Sequence, residues 1–162
     1  MSESISRLPN ALNFTRRLYH WLPPFLWMAA IFGFSTDYFS AGQTGGLVYK
    51  IVHWLIPNAS IELHQTIHFM VRKAGHFSVY AILAFLLIRS LRSESILRWR
   101  WNWAIYSFLV VGVYALLDEY HQTFTSSRTG SVYDSLIDLT GGTFMLTVLW
   151  LLSFRKVHQD NS

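Results

Sequence analysis

The chain has 162 residues, of which 52% are hydrophobic, 17% aromatic and 14% charged, and its formal net charge is +4. This composition is drier than that of a soluble domain and is typical of a small integral membrane protein with one compact unit. Cysteine is absent, which excludes disulfides, iron–sulfur sites and thiol nucleophiles, and the basic residues flank apolar segments instead of forming a basic helix, which argues against nucleic-acid binding.

The first predicted element is a membrane span at residues 18–35, after a polar segment at 1–17. The apolar run is longer and more aromatic than the core of a secretory signal, so we expect it to remain as an uncleaved span. Because proline lacks the amide donor, Pro23 and Pro24 are expected in the first turn of this helix or at an early kink.

Residues 36–72 are too polar to cross a membrane. Apolar residues nevertheless recur at helical spacing in two stretches, 47–56 and 61–71, which Pro57 and Asn58 separate. We therefore expect one or two short helices that lie at the membrane interface between spans one and two.

Three further apolar runs follow the interfacial segment. Their lengths are close to the ~20 residues that cross a hydrocarbon core of ~30 Å, and they lie at 73–88, 101–117 and 132–154. The predicted fold is all-α: a polytopic membrane domain at 18–154 with a bundle of four transmembrane helices, followed by a tail at 155–162.

The basic residues predict the orientation of the bundle. Nine of the 13 Lys and Arg residues lie before span one, between spans two and three or after span four, and the other four lie on the opposite side. Cytoplasmic loops carry an excess of Lys and Arg. We therefore expect a multi-pass protein of the bacterial cytoplasmic (inner) membrane with both termini in the cytoplasm and the 122–130 loop outside.

Polar residues are concentrated at the predicted outer ends of the spans. Asp118 and Glu119 lie at the carboxyl end of span three, where the helix dipole disfavours acids, and Arg72 and Lys73 open span two, where it disfavours cations. Both placements become favourable if the two groups face each other. Asp138 lies about 10 Å into span four, beside Gly141 and Gly142, which permit close packing, and a carboxylate at that depth needs a partner or water.

Other residues at the predicted outer ends of the spans each allow two interpretations. Asp134 completes a capping box with Ser131 or belongs to the site. Arg128, in the outer loop, is a salt-bridge partner or a bidentate ligand for a phosphate. His76 and Tyr80 follow Lys73 on one helix face, where His76 is structural or functional.

Two more features concern hydrogen bonding and metal binding. Ser35, at the outer end of span one, is a helix-end hydroxyl or a hydrogen-bond donor to the polar residues. His64 and His68 have the i, i+4 spacing of a helical metal pair but lack the His-Glu-x-x-His signature. No metal and no cofactor is therefore predicted.

The polar motifs are Lys73-x-x-His76-x-x-x-Tyr80, Asp118-Glu119-x-x-Gln122, Arg128 and Asp134-x-x-x-Asp138. Together they resemble the VanZ-like family of small bacterial membrane proteins. Two departures are Ser126-Ser127, where the family usually has Pro-Gly, and Asp138, where it usually has Asn. The resemblance implies a link to the cell envelope, since the family's namesake is associated with low-level resistance to the lipoglycopeptide teicoplanin, but it implies no accepted biochemical activity.

The leading functional hypothesis is a VanZ-like membrane protein whose outer-face polar residues bind a lipid headgroup or a lipid-linked envelope precursor and affect glycopeptide sensitivity. The predicted ligand-binding residues are Ser35, Lys73, His76, Tyr80, Asp118, Glu119, Gln122, Arg128, Asp134 and Asp138. One alternative is an interfacial enzyme acting on a lipid-linked substrate, with Asp118 or Glu119 as general base and His76 as acid/base. Another is a structural scaffold in which every charge is internally paired.

Overall fold

The computed structural model describes residues 8–36, 41–92, 99–125 and 130–159. These ranges form five helices and, among the residues described, no strand: α1 (Leu8–Phe34), α2 (Ala41–Leu55), α3 (Ile61–Leu91), α4 (Trp101–Gln122) and α5 (Val132–Gln159). The all-α prediction is confirmed.

Three of the described helices are long and apolar enough to cross a membrane, by length and composition: Ile61–Leu91, Trp101–Gln122 and Val132–Ser153. They correspond to the second, third and fourth predicted spans. α1, which contains the first, is not among the three.

Helix α1 begins at Leu8, ten residues before the predicted span. Pro23 and Pro24 therefore lie in the interior of the helix and not in its first turn, which was one of their two predicted placements. Pro9 is the proline that occupies the first turn, where a missing amide donor costs no helical hydrogen bond.

Helix α3 is continuous over 31 residues. The short helix expected at 61–71 is its first part and not a separate element. Ser60 is the N-cap of α3, and its side chain accepts a hydrogen bond from the Leu63 amide at 3.3 Å. A change from mixed to mainly apolar composition near Lys73 is not a helix break, because no proline interrupts the chain there. At 1.5 Å per residue the helix is about 46 Å long.

Hydrogen bonds between helices show that α1 runs antiparallel to α3. The Ser90 hydroxyl donates to the His20 carbonyl at 2.6 Å, and the Trp27 indole N–H donates to the Val79 carbonyl at 2.8 Å. The order of the contacts along one helix is therefore reversed along the other.

Helix α5 runs parallel to α3 and antiparallel to α4. Trp101, at the start of α4, lies 5.8 Å from Trp150 near the end of α5, ring centroid to ring centroid. Gly141 and Gly142 permit the close packing: a Cβ on Gly141 would lie 2.1 Å from the Phe77 carbonyl oxygen of α3, and one on Gly142 would lie 2.8 Å from Val111 Cγ1 of α4. The close packing predicted for this glycine pair is confirmed.

The buried core lies where α1, α3, α4 and α5 meet, and its members are Ile31, Tyr80, Leu83, Ala84, Leu87, Ile88, Val111, Ala115 and Leu146. The outward faces carry large exposed hydrophobic side chains, such as Phe25, Leu109 and Leu151. Such a surface is unfavourable in water and suits lipid tails.

Candidate functional site

Nine of the ten predicted site residues come together where the end of α1, the first half of α3, the end of α4 and the start of α5 meet. We call them the polar cluster: Ser35, Lys73, His76, Tyr80, Asp118, Glu119, Gln122, Asp134 and Asp138. The tenth, Arg128, lies outside the described residues. Most of the cluster is buried, so its polar groups depend on one another for hydrogen bonds.

Asp118 is held by two neutral donors. The Ser35 hydroxyl donates to Asp118 Oδ1 at 2.5 Å, and the Gln122 amide donates to Asp118 Oδ2 at 3.1 Å and to the Ser35 hydroxyl at 3.5 Å. All three side chains are buried. Of the two interpretations of Ser35, the structure supports the one in which its hydroxyl donates a hydrogen bond to the cluster.

Lys73 pairs with Asp134. Its position in the sequence had suggested Asp118 or Glu119 as the partner. The reason is that α3 lies directly beside α5, which brings Lys73 level with the first turn of α5. The Asp134 carboxylate is therefore engaged by Lys73 in place of the predicted capping box.

Glu119 supplies the capping interaction at the start of α5 from another helix. Its Oε2 accepts a hydrogen bond from the Ser131 backbone N–H at 2.7 Å. A carboxylate is favourable at this position because the first turn of a helix presents unsatisfied N–H groups and partial positive charge. This contact explains why an acid lies near the carboxyl end of α4, a position that is unfavourable for the stability of α4 alone.

His76 and Asp138 form the deepest pair of the cluster. His76 Nδ1 lies 3.0 Å from Asp138 Oδ1, and Asp138 is 0% exposed. The partner that an acid at this depth requires is therefore a histidine on the neighbouring helix α3.

Three buried oxygens of the cluster have no hydrogen-bond partner among the described residues: Glu119 Oε1, Asp138 Oδ2 and the Tyr80 hydroxyl. Leaving a buried polar atom unpaired costs about 1–3 kcal/mol. These atoms mark places where a further group would bind favourably.

A cavity of about 240 Å³ adjoins the cluster between α1 and α3. Its wall is mostly apolar, and its polar lining residues are Ser35, His68, Arg72, His76, Tyr80 and Asp118. The sequence predicted that Arg72 faces the acids of span three, but Arg72 was not among the predicted ligand-binding residues. The signal for its place in the cavity was the spacing of His68, Arg72 and His76, four residues apart, which places all three on one helix face.

The comparison with protein families identifies the chain. The model of the family described as VanZ/LLP1 matches residues 20–153. The chain belongs to the VanZ/LLP1 family. The matched range includes every residue of the polar cluster, and the predicted family resemblance is confirmed. No curated protein and no solved structure is significantly similar to the chain.

The polar cluster of this VanZ/LLP1 protein carries excess negative charge. Among the described residues, its four acids contribute −4, while Lys73 and the adjacent Arg72 contribute +2, which leaves −2 when His76 is neutral. A buried site with this imbalance favours a bound cation, an added proton or both.

One member of the histidine pair noted in the sequence, His64, has a structural environment in this VanZ/LLP1 protein, whereas His68 lines the cavity. His64 Nδ1 lies 2.9 Å from the Ser60 carbonyl oxygen, and its ring stacks on Tyr49 of α2 at 4.4 Å between centroids. These contacts fasten α2 to the first turns of α3, apart from the polar cluster.

Proposed function

We propose that this VanZ/LLP1 protein crosses the bacterial cytoplasmic membrane four times and binds the headgroup of a phosphate-bearing lipid or lipid-linked envelope precursor in the cavity between α1 and α3. The observation that carries the proposal is the composition of that cavity, which combines apolar walls with the guanidinium of Arg72. Lipid ligands need both kinds of surface, one for the chain and one for the headgroup.

The packing of α1 supports a fourth span. Its contacts follow α3 from His20, which accepts from Ser90, to Ser35, which donates to Asp118 beside the outer part of α3. Seventeen residues of helix, from 18 to 34, extend about 26 Å, which approaches the ~30 Å thickness of a hydrocarbon core. α1 therefore runs beside most of the apolar length of α3.

The alternation of helix directions supports an orientation with both termini in the cytoplasm. If α1, α3, α4 and α5 each cross the membrane, the alternation brings the start of α1 and the end of α5 to one side, which is also the side with nine of the 13 basic residues. The polar cluster then faces outwards. Helix α2, with Trp54 79% exposed, lies at the outer interface, where tryptophan is enriched.

Arg72 is the cation best placed to hold a ligand phosphate. Lys73 is paired with Asp134, whereas Arg72 lines the cavity and makes no salt bridge to any acid in the described part of the chain. A guanidinium binds phosphate oxygens bidentately. The neighbouring apolar side chains, such as Phe34 and Val71, suit the adjoining part of a lipid.

The test is native mass spectrometry of the protein purified in mild detergent with its co-purified lipids. Arg72→Ala should lose most of the phospholipid-mass adducts, whereas Arg89→Ala, at the other end of the same helix, should keep them. Equal adducts in both variants would remove Arg72 from the binding site, and a wild-type protein free of adducts would refute lipid binding.

An interfacial enzyme is the second candidate, favoured by the His76–Asp138 pair at 3.0 Å beside the cavity. A carboxylate that orients a histidine is a common arrangement for general acid–base catalysis. Turnover of a labelled lipid by the wild type, lost in His76→Gln while lipid is still retained, would establish the enzyme in place of the simple binder.

The cellular consequence proposed for headgroup binding is a change in glycopeptide sensitivity. Cells expressing the wild-type protein should tolerate a different teicoplanin concentration from cells expressing Arg72→Ala at the same membrane level. Identical sensitivity of the two strains would separate this protein from the resistance associated with the family's namesake.

A further inference from the structure

We propose that His76, Glu119 and Asp134 form a binding site for one divalent transition-metal cation of the Zn²⁺ or Mn²⁺ type. The three residues come from α3, α4 and α5, and one potential ligand atom of each lies within 4.8 Å of the other two. In a tetrahedral site with metal–ligand distances of about 2.1 Å, the ligand atoms are about 3.4 Å apart. A movement of about 1 Å by each of the three ligand atoms therefore closes the set around an ion.

The free oxygen of Glu119 is the first independent indication of a missing ligand. Glu119 is 5% exposed; its Oε2 is occupied by the Ser131 N–H, whereas its Oε1 is buried and without a hydrogen-bond partner among the described residues. An unpaired buried carboxylate oxygen is unfavourable unless a proton or a cation satisfies it.

The His76–Asp138 pair is the second indication. When Nδ1 of His76 donates to the buried Asp138 carboxylate, the proton-free nitrogen is Nε2, which has a lone pair for a metal. Histidine ligands commonly donate their other ring N–H to a carboxylate, which orients the ring and makes it a stronger ligand. Asp138 is thus a positioning residue for the proposed ligand His76.

The charge of the described part of the polar cluster favours a cation. Its four acids with Arg72 and Lys73 carry a net −2 when His76 is neutral, a sum that does not include Arg128, which lies outside the described residues. Lys73 contacts Oδ1 of Asp134, and we assign the second carboxylate oxygen of Asp134 to the cation.

The ligand set also indicates the class of metal. One imidazole nitrogen with two carboxylates suits Zn²⁺, Mn²⁺ or similar first-row ions, whereas Ca²⁺ and Mg²⁺ favour ligand sets made of oxygen alone. Three protein ligands leave at least one coordination position for water or a ligand group. The site does not depend on the proposed lipid function, because a cation could bind here in a purely structural protein.

The test uses full-length protein purified with an affinity tag that contains no histidine, stripped with EDTA in detergent and then titrated with ZnCl₂ by calorimetry. Elemental analysis measures the bound zinc, with MnCl₂ as competitor. The wild type should bind one equivalent of zinc, and Glu119→Gln and Asp134→Asn should each weaken binding at least about tenfold. Asp138→Asn, which changes only the partner of His76, should weaken binding by about 10–100-fold.

The matched control is His64→Gln, which removes a histidine from the other candidate metal pair of the chain and should bind zinc as the wild type does. Tryptophan fluorescence and gel filtration establish that each variant is folded. If Glu119→Gln does not fold, Asp134→Asn and Asp138→Asn decide the matter.

Three results would overturn the proposal: no zinc uptake by the wild type, unchanged uptake by the folded Glu119, Asp134 and Asp138 variants, or loss of uptake in His64→Gln alone. Lipid content is measured by mass spectrometry on the same samples. A protein that retains lipid but binds no metal refutes only the metal site, and one that binds metal but retains no lipid refutes only the lipid function.

Discussion

Replacing Gly141 by alanine should force α3 and α5 apart at the level of the polar cluster. An added Cβ would lie 2.1 Å from the carbonyl oxygen and 3.0 Å from the Cα of Phe77. Carbon–oxygen contacts between packed helices are about 3.3–3.6 Å. The two helices must therefore separate by about 1 Å, because the opposing atoms belong to backbone and cannot rotate away.

The expected loss follows from this clash. Overpacking a well-packed contact costs about 1–3 kcal/mol, and separation of the helices also lengthens the Lys73–Asp134 and His76–Asp138 contacts. Gly112→Ala is the matched control, since its Cβ would meet only Leu139 Cδ1 at 3.6 Å, an ordinary contact. Alanine is favoured over glycine in a helix by up to about 1 kcal/mol, and both variants share this gain, so their difference isolates the clash.

The assay is thermal unfolding in detergent followed by intrinsic fluorescence of the seven tryptophans. For a protein of this size 1 kcal/mol corresponds to about 2–4 °C in Tm, so Gly141→Ala should melt roughly 2–12 °C below Gly112→Ala. If Gly141→Ala melts at or above its control, α5 does not approach the α3 backbone at this position, and the alignment of the polar cluster derived from that approach is wrong.

Three further predictions concern topology, pairing and the outer loop. A cysteine at Thr125 should react with a membrane-impermeant thiol reagent in intact cells (after permeabilisation of any outer membrane) and one at Ser95 should not; the reverse pattern would overturn the orientation. Lys73→Ala and Asp134→Asn should each destabilise the protein and show a coupling of about 0.5–3 kcal/mol in a double-mutant cycle, whereas additive losses would mean that the pair contributes nothing. Arg128→Ala should weaken retention of phosphate-bearing lipid at an unchanged Tm, and a lower Tm with normal retention would make Arg128 a structural brace.

Helix content and the positions of the apolar segments could be predicted from the sequence because hydrophobic runs and prolines are local signals. The helix ends were less predictable. Helix α1 already begins at Leu8, and α3 continues across Lys73, although the polarity of the sequence changes within both helices. A change in polarity reflects the surroundings of a helix and does not by itself mark where the helix ends. Pro57 and Asn58 correctly marked the break between α2 and α3, since proline lacks the backbone N–H that a helix interior requires.

The membership of the polar cluster was predictable, but its pairing was not. Charges at unfavourable helix ends indicated that Lys73, Asp118 and Glu119 needed partners. Which acid meets Lys73 depends on which helix lies beside α3, and the sequence contains no local signal for that choice. The contact of Glu119 with the start of α5 was missed for the same reason, because it joins residues of two different helices.

The contacts Lys73–Asp134 and His76–Asp138, which join the parallel helices α3 and α5, help to set the alignment of these two helices during assembly. In a bilayer, lipid tails are as apolar as leucine, so hydrophobicity alone does not select a partner helix or an alignment. A slip of α3 along α5 by one turn, about 5.4 Å, would bring Lys73 towards Asp138 or His76 towards Asp134 and leave the remaining acid without its partner. Two such contacts on adjacent turns disfavour the misaligned arrangements, so a chain that lacks either partner should still insert but should assemble into more than one packing.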